Sequence, residues 1–195
     1  MSSRRVSRGW PYPLGATVTD EGINFAFFSR HGTAVFVELY DAPDDGRPRI
    51  SLALDPQRNR TGDIWHIFVH GAEHGQLYGF RVDGPYTPLE TGDRFNVHKL
   101  LTDPYARALA GDFHTDRDAL YGYDRNDPRA DLSFNSEDSA ACIAKSVAIA
   151  NQPFDWEEDR PPRVPLADSV LYEVHLRGFT IHPSSTTAHA GTYLG

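Results

Sequence analysis

Apolar and polar residues alternate along residues 23–83 with a period of two. In the first of these segments, Ile23, Phe25 and Phe27 fall on one face. Because successive side chains of a strand point to opposite faces, this alternation predicts half-buried β-strands. Five such segments follow one another, at residues 23–30, 34–40, 50–54, 64–69 and 76–83.

The predicted strands are separated by segments rich in Gly, Asp, Asn and Pro, which favour turns. These segments lie at residues 30–32, 41–46, 55–63 and 70–75. Short strands at regular spacing, with no long helical pattern between them, are typical of an antiparallel β-sandwich. The pattern therefore predicts a mainly β fold of immunoglobulin-like type.

The two-residue period ends after Gly84. Repeated Pro and Asp residues follow as far as residue 140, together with many aromatic residues that need burial, so we expect an ordered but irregular extension. Dense prolines at residues 153–165 predict an extended connector. Residues 169–176 (SVLYEVHL) have the apolar, β-branched character of a further strand. Because an unpaired strand exposes hydrogen-bonding groups, this strand is expected to belong to a second domain that continues beyond the chain.

Composition narrows the classes of function. The formal net charge of −8 disfavours nucleic acid as a partner, because nucleic-acid binding relies on clustered Lys and Arg. No run approaches the roughly 18 apolar residues of a membrane span, so no membrane partner is expected. The single cysteine, Cys142, together with the lack of an export signal, favours a reducing, cytoplasmic location. A neutral ligand such as a glucan fits this charge better than a polyanion.

Several stretches resemble isoamylase-type glycogen-debranching enzymes of glycoside hydrolase family 13. Residues 12–17 (YPLGAT) and 22–29 (GINFAFFS) are similar to the start of their N-terminal carbohydrate-binding-type sandwich, the family 48 module. More specific are residues 75–86 (GQLYGFRVDGPY) and residues 99–106 (KLLTDPYA). Residues 171–180 (LYEVHLRGFT) resemble the first barrel strand of the same enzymes. The likeness follows the family order along nearly the whole chain.

The resemblance implies a β-sandwich, then an irregular extension, then the first strand of a truncated (β/α)₈ barrel. The expected segments are an N-terminal tail at residues 1–10, the sandwich module at 11–110, the extension and Pro-rich connector at 111–165, and the start of the barrel at 166–195. The implied parent enzyme hydrolyses α-1,6 branch linkages of glycogen or another branched α-glucan, which is the expected partner. Its retaining mechanism uses two carboxylates. In the family these carboxylates lie on later barrel strands, so we expect no catalytic residue here, no cofactor, and a chain that is catalytically silent alone.

Trp10, Tyr12 and Tyr86 are the predicted substrate-binding residues. An exposed aromatic plane packs well against the C–H face of a glucose ring, because that face is apolar. Packing within the protein core is the alternative for all three. Trp65 lies inside a predicted strand and is expected in the core.

Three other groups imitate functional sites. Asp83 has an Arg two residues before it, as the family nucleophile does, but it precedes the barrel and is expected to be a turn carboxylate. His66, His70 and His74 have the four-residue spacing of metal ligands on a helix, but the local pattern is strand and turn. The acidic residues at 124–135 lack the Gly and Glu of a calcium loop. No metal site is therefore expected.

Two other hypotheses remain open. One is a free-standing glucan-binding or regulatory module with no hydrolytic parent, and the barrel-like residues 172–180 speak against it. The other keeps the enzyme but changes the reaction to α-glucan branching or to hydrolysis of a trehalose-capped oligosaccharide, because related sandwich domains precede those barrels too. Residues 84–106 favour debranching.

Overall fold

The structure is a computed structural model that describes residues 5–151 and 154–195. The chain divides into two compact units, residues 1–152 and residues 153–195. The strands of the first unit are β1 (Val6–Arg8), β2 (Gly15–Val18), β3 (Gly22–Phe28), β4 (Ala34–Tyr40), β5 (Ile50–Ala53), β6 (Arg60–Thr61), β7 (Ile64–His70), β8 (Leu77–Asp83), β9 (Tyr86–Thr87), β10 (Asp93–Arg94), β11 (Ala108–Ala110) and β12 (Lys145–Val147). Single 3₁₀ turns lie at Asp118–Leu120, Ala130–Leu132 and Ala140–Cys142.

These strands form two main sheets. The first sheet has the order β1-β7-β3-β2, with β6 also paired to β7, and the second has the order β11-β12-β8-β4-β5. Every pairing is antiparallel, and β9 with β10 forms a separate two-stranded ribbon. The predicted antiparallel architecture is confirmed.

The hydrophobic core lies between the two sheets. Phe27 of β3 stacks on Phe80 of β8, with 4.2 Å between ring centroids. Phe25 and Tyr78 form a second contact across the sheets at 4.9 Å. The other large buried side chains of the core are Ile23, Val35, Val37, Leu39, Leu54, Trp65, Ile67, Val69 and Val82. The alternating residues of β3, β4, β7 and β8 therefore point inwards as predicted, and Trp65 is a core residue.

Arg81 of β8 joins the irregular stretch after β10 to the second sheet. Its guanidinium donates to the Glu38 carboxylate at 2.7 Å and to the Val97 carbonyl at 3.1 Å. It also donates to both oxygens of Asp138, at 2.8 and 3.0 Å. Burial alone would lower the pKa of Arg81, but the hydrogen bonds to Asp138 and Glu38 outweigh it and raise that pKa above its ordinary value. The pairing keeps two buried charges compensated.

A buried lysine anchors β12. The Lys145 ammonium donates to three carbonyl oxygens, those of Pro43, Ala140 and Ile143. It also lies 4.8 Å from the centroid of the Tyr40 ring. Burial lowers the pKa of Lys145, because desolvation disfavours the charged ammonium. These contacts bring the stretch after residue 140 back to the second sheet, where β12 pairs with β8 and β11.

The second unit has little regular structure. Residues 154–195 contain a 3₁₀ turn at Leu166–Asp168 and one short helix, α1 (Leu176–Thr180), whose first turn is capped by the His175 ring accepting the Gly178 amide at 2.9 Å. Residues 169–176, predicted to be a strand, form none in this structure: residues 169–175 are in neither a helix nor a strand, and Leu176 begins α1. A strand needs a neighbour for its backbone hydrogen bonds, and residues 154–195 supply no such neighbour. The start of a barrel remains a prediction.

Candidate functional site

The three predicted substrate-binding residues lie in different surroundings. Trp10 lies on the outer face of the first sheet, against Phe68. Tyr12 is 66% exposed. Tyr86 lies in the β9–β10 ribbon, where its hydroxyl donates to the Ser133 carbonyl and its ring packs edge-on against Phe134 at 4.9 Å. The structure therefore leaves Trp10 and Tyr12 partly open to a ligand and engages Tyr86 on two sides.

The position of Trp10 follows from the close approach of the chain to the sheet after β1. A Cβ atom at Gly9 would lie 2.8 Å from backbone atoms of Ile67 and 2.3 Å from the Asn24 side-chain oxygen, so only glycine fits without a shift. Asn24 is fully buried and uses both ends of its amide on Trp10. Its Oδ1 accepts the Trp10 N–H at 2.9 Å, and its Nδ2 donates to the Trp10 carbonyl at 3.0 Å. This buried amide fixes the Trp10 backbone.

Trp10 and Phe68 line an open pocket of about 480 Å³, which we call the Trp10 pocket. The two rings lie 5.4 Å apart at 31° to each other, and Trp10 is 38% exposed. The remaining lining residues are Ser7, Arg8, Thr19, Asp20, Glu21 and His70. The volume lies within the range of about 300–1,000 Å³ that is common for small-ligand sites.

The turn between β2 and β3 supplies the two carboxylates of the Trp10 pocket. The Thr19 amide and hydroxyl both donate to the Gly22 carbonyl, at 2.8 and 3.0 Å, which closes the turn. The Glu21 carbonyl accepts the Gly71 amide at 2.9 Å, so the turn is held against the end of β7. The side chains of Asp20 and Glu21 remain exposed. Two acceptor groups thus flank the aromatic surface at a defined place.

His70 lines the same pocket. Its Nε2 is 2.9 Å from the Ser7 hydroxyl, and its amide donates to the Arg5 carbonyl at 3.0 Å. Its ring meets Phe68 edge-on at 4.8 Å. The pocket therefore combines aromatic planes with hydroxyl, imidazole, carboxylate and guanidinium groups, which suits a ligand that has both an apolar face and many hydroxyls.

A second, larger cavity of about 1290 Å³ contains none of the three predicted residues. Its lining is largely apolar, with Phe28 and Tyr105 each more than half exposed. The His31 ring contacts the Asp93 carboxylate at 3.1 Å. The pKa of Asp93 is lowered by the hydrogen bond from Thr91, which has the largest effect, and by the hydrogen bond from His31. These charged groups of the larger cavity are therefore engaged with neighbouring side chains.

The residues that imitate other sites are used locally. Asp83 ends β8, and its carboxylate accepts the amide of the next residue at 2.9 Å. His66 is buried in β7 with its Nε2 2.8 Å from the Thr61 hydroxyl, and burial lowers the pKa of His66. His74 accepts the Ala150 amide at 3.1 Å. In the acidic stretch at residues 124–135, the side-chain hydrogen bond from Arg129 lowers the pKa of Asp127 to about 2.

A metal site and a membrane-spanning helix each place requirements on the described residues. Within residues 5–151 and 154–195, no three His, Cys, Asp or Glu side chains are grouped so as to hold a metal ion. No helix in the part of the chain that the structure describes has the length and apolar character needed to cross a bilayer.

Residues 13–106 match the family model of carbohydrate-binding module 48, the isoamylase N-terminal domain. Isoamylase 1, chloroplastic, of Oryza sativa subsp. japonica is 38% identical over 193 residues, which are 98% of this chain and 22% of that protein. A glycogen debranching enzyme of Yersinia pseudotuberculosis serotype IB is 41% identical over 189 residues, which are 96% of this chain and 26% of that protein. The chain thus spans about a quarter of the length of these relatives.

The fold is also found in a solved structure of pullulanase from Paenibacillus barengoltzii in complex with maltohexaose and α-cyclodextrin. That structure superposes with a TM-score of 0.54 at 24% identity, over 88% of this chain and 20% of that chain. At this identity the likeness is one of fold alone. The two antiparallel sheets, the family match and the two relatives agree: residues 13–106 of this chain are similar to carbohydrate-binding module 48, the isoamylase N-terminal domain.

Proposed function

We propose that this chain is the carbohydrate-binding module of a debranching glycoside hydrolase that cleaves α-1,6 linkages in glycogen or a related branched α-glucan. The observation that carries the proposal is the identity of 38% and 41% to an isoamylase and to a glycogen debranching enzyme along nearly the whole chain. The sandwich at residues 11–110, the extension and connector at 111–165 and a barrel start at 166–195 are the proposed domains.

The proposed role of the chain is to support the hydrolase barrel and to hold glucan, without hydrolysing it. Trp10, Tyr12 and Tyr86 are the proposed glucan contacts. The partly exposed ring of Trp10 beside two carboxylates supports this role, because a sugar offers both a C–H face and hydroxyl donors. Catalysis is assigned to residues outside this chain. The single thiol supports a cytoplasmic location, where cysteines stay reduced.

The similarity to the two enzymes continues past the sandwich into residues 154–195, as their coverage of this chain requires. A free-standing binding module would not need residues 154–195. This favours a module that belongs to an enzyme.

Affinity electrophoresis tests the binding part of the proposal. The chain is run in native gels with glycogen, without polysaccharide, and with dextran at matched viscosity, which controls for sieving. We expect slower migration in the glycogen gel alone. Equal migration in the three gels would contradict a glucan-holding role.

A reducing-end assay tests the catalytic part. The chain is incubated with glycogen, and released reducing ends are compared with those from a buffer blank and from a commercial isoamylase. We expect no release above the blank. Release that grows with the concentration of the chain would show that it carries catalytic groups of its own.

A further inference from the structure

We propose that the Trp10 pocket is a binding site for an internal stretch of a linear α-glucan chain. In this site Trp10 is the plane on which one glucose ring stacks, and the carboxylates of Asp20 and Glu21 accept hydrogen bonds from its hydroxyls. The inference rests on the proposed function, because that function supplies the ligand class.

The first support is the way the aromatic plane is held. Asn24 is fully buried and commits both ends of its amide to the Trp10 backbone, at 2.9 and 3.0 Å. One face of the indole leans on Phe68, while the side chain keeps 38% of its surface exposed. An aromatic group fixed in this way loses little conformational entropy when a ligand covers it. The arrangement is that of a preorganised contact surface.

The second support is the charge of the lining. Asp20, Glu21 and Arg8 line the pocket, and two carboxylates against one guanidinium disfavour an anionic ligand relative to a neutral one. Hydrogen bonds that a carboxylate accepts from hydroxyls are charge-assisted and stronger than those between neutral groups. A ring with an apolar C–H face and a polar hydroxyl edge matches Trp10 below and the carboxylates beside it.

The third support is the shape and origin of the site. The pocket is open and lies on the outer face of a sheet, so a chain longer than the pocket can extend beyond it. Three of its lining residues, Ser7, Arg8 and Trp10, precede residue 13, where the family match begins. The site is therefore built partly by a segment outside the matched module, and the family match does not by itself imply it.

Titration with maltoheptaose tests the site, with the full chain and isothermal calorimetry as the readout. Trp10→Ala should weaken binding by about tenfold or more, as truncation of a central aromatic contact does. Asp20→Asn with Glu21→Gln should weaken it several-fold, while Trp10→Phe should keep part of the affinity. Trp156→Ala is the matched control, because this tryptophan is 63% exposed but belongs to the second unit. It should bind as the wild type does.

The outcomes separate the site from the function. If the wild type binds maltoheptaose and both the Trp10→Ala and the Asp20→Asn/Glu21→Gln chains bind equally well, the site is wrong and the glucan-holding function stands. If the wild type does not bind, both are wrong. Should Trp10→Ala fail to fold by circular dichroism, the carboxylate double variant decides, because it changes exposed side chains only.

Discussion

Replacing Arg81 by methionine would break two ion pairs: one with Glu38 inside the second sheet, and one with Asp138 that joins the irregular stretch to that sheet. Arg81 and Glu38 are each 6% exposed, so the substitution leaves a buried carboxylate whose remaining donors are the Tyr40 hydroxyl at 2.6 Å and the Ser51 hydroxyl at 3.3 Å. Removing one partner of a buried pair costs about 3–5 kcal/mol, because the other charge stays desolvated. The Asp138 side chain is 55% exposed and regains water, so its loss of pairing adds little. We expect the free energy of unfolding to fall by about 3–5 kcal/mol.

Urea unfolding followed by near-ultraviolet circular dichroism measures this loss, because that signal reports the packed aromatic core. Arg81→Met with Glu38→Gln removes both charges and keeps an acceptor for Tyr40, so it should recover most of the stability. Arg94→Met is the matched control: its ion pair with Asp131, at 2.9 Å, is exposed and should contribute less than about 1 kcal/mol. An Arg81→Met loss no larger than that of the control, or a double variant no more stable than the single, would refute the reasoning.

Three further predictions follow from single positions. Gly9→Ala should cost about 1–3 kcal/mol in urea unfolding, because its Cβ would overlap Asn24 and the sheet backbone. Burial raises the pKa of Asp103 above its ordinary 3.8, although the hydrogen bond from the Tyr78 hydroxyl acts in the opposite direction. The folded state therefore holds the Asp103 proton more tightly than the unfolded state, and the contribution of Asp103 to stability falls as pH rises through its folded pKa. The urea midpoint of Asp103→Asn should therefore rise relative to that of the wild type as the pH increases from 4 to 7. A difference between the two midpoints that does not change with pH would contradict this. The buried Cys142 should react with Ellman's reagent far more slowly in the native chain than in urea, and equal rates would contradict its burial.

The central strands were predictable because each is long enough to show its period. β3, β4, β7 and β8 have seven residues each and face the core with alternating apolar side chains. The short strands β1, β2, β11 and β12 have three or four residues each, which is too few for a period to stand out. In β12 a charged residue also stands where a core residue would be expected, since Lys145 is fully buried and one of its three carbonyl partners, that of Pro43, is 102 residues away in sequence.

The ion pairs could not be predicted from local pattern. Arg81 and Asp138 are 57 residues apart, and Glu38 is 43 residues from Arg81. The pairing of Arg81 with Glu38 depends on the register of β4 against β8, and its pairing with Asp138 depends on the return of the irregular stretch to the sheet. A local sequence pattern signals neither.

The candidate site was partly predictable. Trp10 was singled out from its type and its surroundings, but its pocket was not. Phe68 carried a signal: it is a large aromatic at an outward position of β7, between the inward Ile67 and Val69. Asp20 resembles any solvated turn residue, and only the fold brings it beside Trp10. The roles of Tyr12 and Tyr86 remain predictions.

Hydrogen exchange with and without saturating maltoheptaose tests most directly whether the outer face of the first sheet holds glucan. We predict slower exchange in peptides covering residues 5–12 and 17–22, with no change in residues 154–195. Protection confined to other segments, such as residues 93–105 beside the larger cavity, would contradict binding at the Trp10 pocket. Unchanged exchange throughout the chain would contradict glucan binding altogether.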